Sequence, residues 1–260
     1  AANIGATVAH CFLYNPGSDL TANVDLDDTG TLTPVKIPAA ALLMPKAKRT
    51  YDALELMAER QWDKRWSAQF SYVLSFSKGN TEGYVKSDNG QDDAGITQDF
   101  DHPGLMEGSS GYLPNDRRHT FKFTGSYAMN DEWRLGTSVQ LQSGRPKNCF
   151  GVYAGSIPDD SVLYGASSFY CDGKLVPRGS LGRTEWTRDV SLQATYTPAR
   201  IKGLSVTLDV FNIFNERGVR GINEVGELDG VGVVNPTYGR PSLASLQRPR
   251  YVKITAGYEF

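Results

Sequence analysis

Apolar and polar residues alternate along this chain with a period of two. From Arg250 to Phe260, the residues Val252, Ile254, Ala256, Tyr258 and Phe260 fall on one face; Tyr251, Lys253, Thr255, Gly257 and Glu259 fall on the other. Successive side chains of a strand point to opposite faces, so this spacing predicts a strand with an apolar and a mostly polar face. The same alternation runs through Glu185–Tyr196, Leu204–Phe214, Trp133–Gln142, His119–Met129 and Trp66–Phe76. It is weaker over Tyr51–Gln61 and weakest over Ala6–Tyr14. About eight strands result, each of roughly 9–12 residues, near the length that a tilted membrane strand needs and longer than the usual five or six. No segment sustains a helical period; Ala39–Met44, between Pro38 and Pro45, has room for one helical turn.

The links between these strands alternate in length. Trp62–Arg65, Asn130–Glu132 and Thr197–Gly203 are short; Asn15–Thr50, Ser77–Arg118, Ser143–Thr184 and Asn215–Pro249 are long. Short turns at one end and long loops at the other are the pattern of an outer-membrane barrel, with periplasmic turns and extracellular loops. Aromatics near strand ends (Trp66, Phe76, Trp133, Trp186, Tyr196, Tyr258, Phe260) suit interfacial girdles. The polar face is rich in Ser, Thr and Gln, as a wet lumen would be, and carries Glu55, Glu59, Arg134 and Asp209. The expected fold is all-β: an antiparallel up-and-down transmembrane β-barrel segment. A soluble β-sandwich also alternates, and a secreted glycan-binding sandwich stands as the alternative.

Composition narrows the field further. The 260 residues carry 27 Lys+Arg against 29 Asp+Glu, a net charge of −2. That balance argues against a nucleic-acid partner, and the supply of aromatic and aliphatic residues argues against disorder. No apolar run approaches the roughly 20 residues of a spanning helix. A mean hydropathy of −0.38 reads as soluble for helical proteins, but barrel strands average out in the same way. The start, Ala-Ala-Asn, has no basic or apolar leader region, and the expectation is a cut inside a longer protein that ends at Phe260.

Several segments resemble TonB-dependent outer-membrane receptors, in particular the Oar-like group. They are Gly83–Gly95 (GYVKSDNGQDDAG), Leu113–Tyr127 (LPNDRRHTFKFTGSY), Leu141–Gly151 (LQSGRPKNCFG), Pro177–Trp186 (PRGSLGRTEW), Leu208–Asn215 (LDVFNIFN) and Arg248–Phe260 (RPRYVKITAGYEF). The resemblance implies a 22-stranded plugged barrel, of which residues 1–260 would be the C-terminal portion. Plug domain, TonB-contacting box and the other strands would lie upstream. A closed eight-stranded barrel is the lesser alternative. Implied partners are outer-membrane lipid, the barrel-assembly machinery, TonB through the plug, and an unidentified extracellular ligand. The implied work is transport, with adhesion or surface recognition as the alternative. Lys253, Tyr258 and Phe260 resemble the signal by which barrels reach the assembly machinery, although Thr255 stands where that signal has Gly.

Of the three cysteines, Cys149 and Cys171 lie in one long loop. A pair in an external loop of a protein that transits the periplasm predicts a disulfide. Cys11 is left over as a free thiol. Asp25 and Asp27, with Asp28, Thr29 and Gly30, begin like a calcium loop, but Lys36 stands where the twelfth-position Glu belongs. Calcium at Asp25 and Asp27 is therefore set against a solvated acidic turn, and the same choice applies to Asp88, Asp92 and Asp93. Otherwise no cofactor is expected. His10, His102 and His119 are scattered, and no hydrolase, zinc or phosphate-loop motif occurs, so no catalysis is expected. Arg117, Arg118 and His119 are expected to anchor a loop at the outer interface, with phosphate binding as the alternative, and Arg145, Arg178 and Arg183 are candidates for lipopolysaccharide phosphates.

Overall fold

A computed structural model describes residues 14–27, 29–91, 93–95, 97–157 and 164–260. Twelve strands occur among them: β1 Leu20–Asp25, β2 Leu32–Ile37, β3 Arg49–Asp63, β4 Trp66–Gly79, β5 Gly111–Tyr112, β6 His119–Ala128, β7 Trp133–Gln142, β8 Tyr170–Cys171, β9 Lys174–Leu175, β10 Thr187–Tyr196, β11 Leu204–Phe211 and β12 Tyr251–Tyr258. Two short helices, α1 Ala39–Leu42 and α2 Pro103–Met106, lie in the connections. The main sheet runs β12-β11-β10-β7-β6-β4-β3, all antiparallel, with β5 on the end of β4. The seven long strands coincide with seven predicted segments. The eighth, Ala6–Tyr14, lies with His10 and Cys11 almost wholly outside the described residues.

Register turns alternation along each strand into two continuous surfaces. Ala58, Phe70, Phe123, Val139 and Val190 form one row across five strands. Trp66, Tyr127, Leu135, Ala194, Leu208 and Ile254 form another on the same face. Between them, Glu59, Gln69, Thr124, Ser138 and Ser191 align on the opposite face. A one-residue slip in any strand would mix these surfaces, so the pattern itself specifies the pairing.

The apolar face is not a protein core. Ile254 is 71% exposed and Leu54 is 55% exposed, whereas the buried apolar side chains include Leu105, Leu113, Phe150, Val152 and Phe169 in the long connections. Such a face requires an apolar solvent, which a bilayer supplies. Aromatics frame it. Trp133 stacks on Tyr196 (ring centroids 4.7 Å apart) near the short turns; Tyr72 stacks on Phe121 (4.5 Å) and His119 on Trp186 (5.8 Å) towards the other end. The ten residue-to-residue steps from Trp66 to Phe76 span about 33 Å along a strand. At a tilt of about 40° that is about 25 Å of height, the thickness of a barrel's apolar band.

The short turns are held locally. Asn130 Oδ1 accepts the backbone N–H groups of Glu132 (3.0 Å) and Trp133 (2.8 Å), closing β6 onto β7. β11 stops at Phe211, earlier than the predicted Phe214. There Asn212 turns left-handed (φ 49°), and its side chain bonds Glu216 and the Arg248 carbonyl. The first long link also differs from expectation. It folds into the β1–β2 hairpin, whose Leu20, Ala22 and Val24 pack with Tyr14, Val35, Ile37 and Leu42. Six-residue strands are too short for a period to stand out over a membrane-length window.

Candidate functional site

The chemistry gathers where the long connections meet. Four concern us: loop A (residues 80–118), loop B (143–186), loop C (212–250) and the β1–β2 region. The sequence makes loop B double back, since Cys149 and Cys171 are disulfide-bonded with their Cα atoms 5.8 Å apart. Phe150 and Phe169, next to that bond, pack ring against ring at 5.1 Å. Both are fully buried, together with two cations. Lys86 Nζ lies 5.2 Å from the Phe150 ring, and the Arg178 guanidinium lies 4.7 Å from the Phe169 ring.

Each of these cations meets a carboxylate from loop A. Arg178 Nη1 donates to Asp88 Oδ2 at 2.7 Å, and Lys86 Nζ sits 3.4 Å from Asp99 Oδ1. Burying a charge without a partner costs several kcal/mol, so the Arg178–Asp88 pair fixes how loop A seats on loop B, while the Lys86–Asp99 pair ties loop A to itself. Glu227 of loop C completes the clasp. Its carboxylate accepts backbone N–H groups from Val152 (2.8 Å), Asp172 (2.7 Å) and Gly232 (2.8 Å). Gly226 next to it needs its missing side chain, because a Cβ there would fall 2.2 Å from Cys149 Sγ.

Glu224 forms the second junction of loops B and C. It is 1% exposed. It accepts from Arg145 Nη2 (3.0 Å) and from the backbone N–H (3.1 Å) and side-chain amide (3.2 Å) of Asn148. Burial pushes its carboxyl up to about 7, against the pull of Arg145. Above it opens a cavity of about 690 Å³, bounded by Asp88 and Asn89 of loop A, Arg145 of loop B, and Asn223, Arg240 and Ser245 of loop C. The cavity walls thus bring hydroxyl, amide, carboxylate and guanidinium groups together from three loops.

The predicted residues are distributed as follows. Glu59, Arg134 and Asp209 lie on the polar face, where Gln193 Nε2 donates to Asp209 Oδ1 at 2.7 Å. Tyr258 pairs with Leu204 in the apolar rows, and its ring meets that of Phe260 edge-on at 5.2 Å. Asp25 and Asp27 sit in the β1–β2 turn. Asp25 accepts the backbone N–H groups of Asp27, Thr29 and Gly30, and Asp27 accepts from Thr29. Asp28 and Asp92 lie outside the described residues. His119 is at the apolar edge, its Nδ1 2.9 Å from the Tyr72 hydroxyl.

Two expectations are corrected. Asp88 is not a solvated turn acid, although Asn89–Gly90 does make the turn that pairs Lys86 with Gln91. It is drawn into the interior by Arg178. Arg178 for the same reason cannot meet lipid phosphates, being 2% exposed. Sequence reading missed Glu224 and Glu227 altogether. Their only local signal is two acids in a Gly-rich stretch, which by itself reads as solvated loop.

Comparison with known proteins sharpens the picture. No protein-family model matches the chain. It is 33% identical over 186 residues, 69% of its length, to the TonB-dependent transporter Oar of Myxococcus xanthus. The chain spans 16% of that relative's length. Similar solved structures include the ferric-catecholate import receptor Fiu of Escherichia coli in its closed form, with 16% identity, TM-score 0.49, and coverage of 93% of this chain and 24% of that one. Another is the pyoverdine receptor FpvA of Pseudomonas aeruginosa bound to pyoverdine, with 12% identity, TM-score 0.47, and coverage of 93% and 25%.

Proposed function

Because this chain is part of the β-barrel of a TonB-dependent outer-membrane receptor, we propose that it supplies the C-terminal portion of the wall and a set of external loops that capture a ligand for TonB-coupled uptake. The observation that carries this reading is the cavity above Glu224, built by three loops that buried ion pairs and a disulfide hold in one arrangement. Pre-arranged polar groups bind with little ordering cost. The wall continues through further strands, since among the described residues no strand pairs with the outer edge of β3 or β12, and lipid does not tolerate unpaired backbone groups. Those strands, a plug and the contact with TonB belong to the rest of the receptor.

That the Myxococcus xanthus relative is a transporter supports uptake over adhesion. Depletion of medium solutes by cells with the receptor, without it, and without TonB tests the choice. Uptake predicts one solute whose removal needs both proteins. Unchanged depletion with loss of surface attachment in the receptor deletion would establish adhesion instead.

A further inference from the structure

We propose that Arg117, Arg145 and Arg220 form a seat for a multivalent anion, a ligand bearing several carboxylate or phosphate groups, on the inward side of the loop cluster. The three arginines come from loops A, B and C, and Arg117 reaches the backbone of the other two loops. Arg117 Nη1 donates to the Ser143 carbonyl (3.2 Å) and its Nη2 to the Arg220 carbonyl (3.2 Å). Arg145 follows two residues after Ser143, and Arg183 Nη1 donates to the intervening Gly144 carbonyl (3.0 Å). Loop C brings Arg220 in from the lumen side. Gln247 Nε2 reaches the Arg188 carbonyl (2.6 Å) and Asp189, on the polar face, while Gln247 N–H donates to Gly218 (2.9 Å) and Arg220 N–H to Ser245 (2.8 Å).

The charges here do not balance. Arg183 and Arg118 share the carboxylate of Asp116. Arg117 has carbonyl partners, which take its hydrogens but leave its charge uncompensated. Arg145 meets Glu224, whose carboxyl burial pushes up to about 7, and its Nε has no hydrogen-bond partner among the described residues. Burial and then repulsion from Arg145, Arg183 and Arg220 bring Arg117 down to about 10. Like charges so crowded oppose their own folding, and an anion bridging them removes that cost. Guanidinium groups bind carboxylate and phosphate through paired N–H donors, and several at once favour a ligand with several anionic groups. There is room for one. Arg145 and Gly221, the residue after Arg220, line the cavity over Glu224, and a Cβ on Gly221 would stand 3.7 Å from Arg145 Nη1.

The seat rests on the receptor reading only in taking the anion as captured cargo, and binding to the purified protein is independent of transport. The test is calorimetric titration of the full-length receptor in detergent with inorganic pyrophosphate, at low and at physiological salt. Saturable binding that weakens about tenfold with salt is expected. Arg220→Gln, at an exposed position that leaves folding intact, should weaken it at least fivefold, with recovery in Arg220→Lys. Arg200→Gln, in the short β10–β11 turn, should leave it unchanged. No saturable binding by the unaltered receptor, or equal binding by Arg220→Gln, overturns the seat. Failure of uptake with binding intact would count against the transport reading instead.

Discussion

Asp88 and Arg178 show what a single residue contributes in this protein. Both side chains are fully buried and bonded to each other at 2.7 Å. Removing one strands the other charge in the interior, which costs about 3–5 kcal/mol. Asp88→Ala should therefore loosen loops A and B, seen as faster proteolytic cleavage within residues 80–118. The double variant Asp88→Leu, Arg178→Met should lose much less, because no charge is left stranded; equal loss would mean that shape, not charge, holds the junction. Glu224 adds a pH dependence. Its carboxyl titrates near 7 in the folded protein against 4.5 ordinarily, so the folded state binds the extra proton between these values. Its contribution is fully present below about pH 4.5 and is lost as pH rises through about 7. Hydrogen exchange around Asn148 should accelerate over that interval relative to Glu224→Gln, whose profile should be flat.

At the scale of the element, the two faces of a strand meet different solvents. Ile254 and Leu208 are paired neighbours on the apolar face, and Thr207 pairs with Thr255 on the polar one. Leu208→Arg should cost about 2–4 kcal/mol where it faces the bilayer midplane, whereas Thr207→Arg should be tolerated. Refolding into lipid vesicles, followed by heat-modifiable electrophoretic migration, distinguishes them; equal yields would contradict the assigned faces. The disulfide works at the same scale. Cys149 and Cys171, 22 residues apart, close a loop whose cross-link stabilises by about 3 kcal/mol in the chain-entropy model. Reductant should expose residues 149–171 to protease without unfolding the main sheet, since none of its strands carries either cysteine.

At the scale of the whole molecule, an ordered sheet and an ordered loop cluster divide the work. The sheet keeps its apolar side chains outside, the reverse of a soluble domain, while the loop cluster buries Leu105, Leu113, Phe150 and Phe169. The seven long strands and their faces were legible because a pleat forces alternation, and alternation is visible within ten residues. The β1–β2 hairpin was not, because its strands have six residues each. Glu224, Glu227 and the inward turn of Asp88 were invisible for a different reason. Arg178 and Asp88 are separated by 90 positions, and Asn148 and Glu224 by 76. No local pattern encodes such a meeting.

Sequence by itself thus determined the period, the lipid-facing residues, the unequal loops and the cysteine pair, all properties that a few adjacent residues carry. Tertiary structure alone decided which loop charges are buried, which stay crowded, and where a cavity opens between them. Charge pairing depends on distance in space and on removal from water, and both are set only when distant segments have folded together.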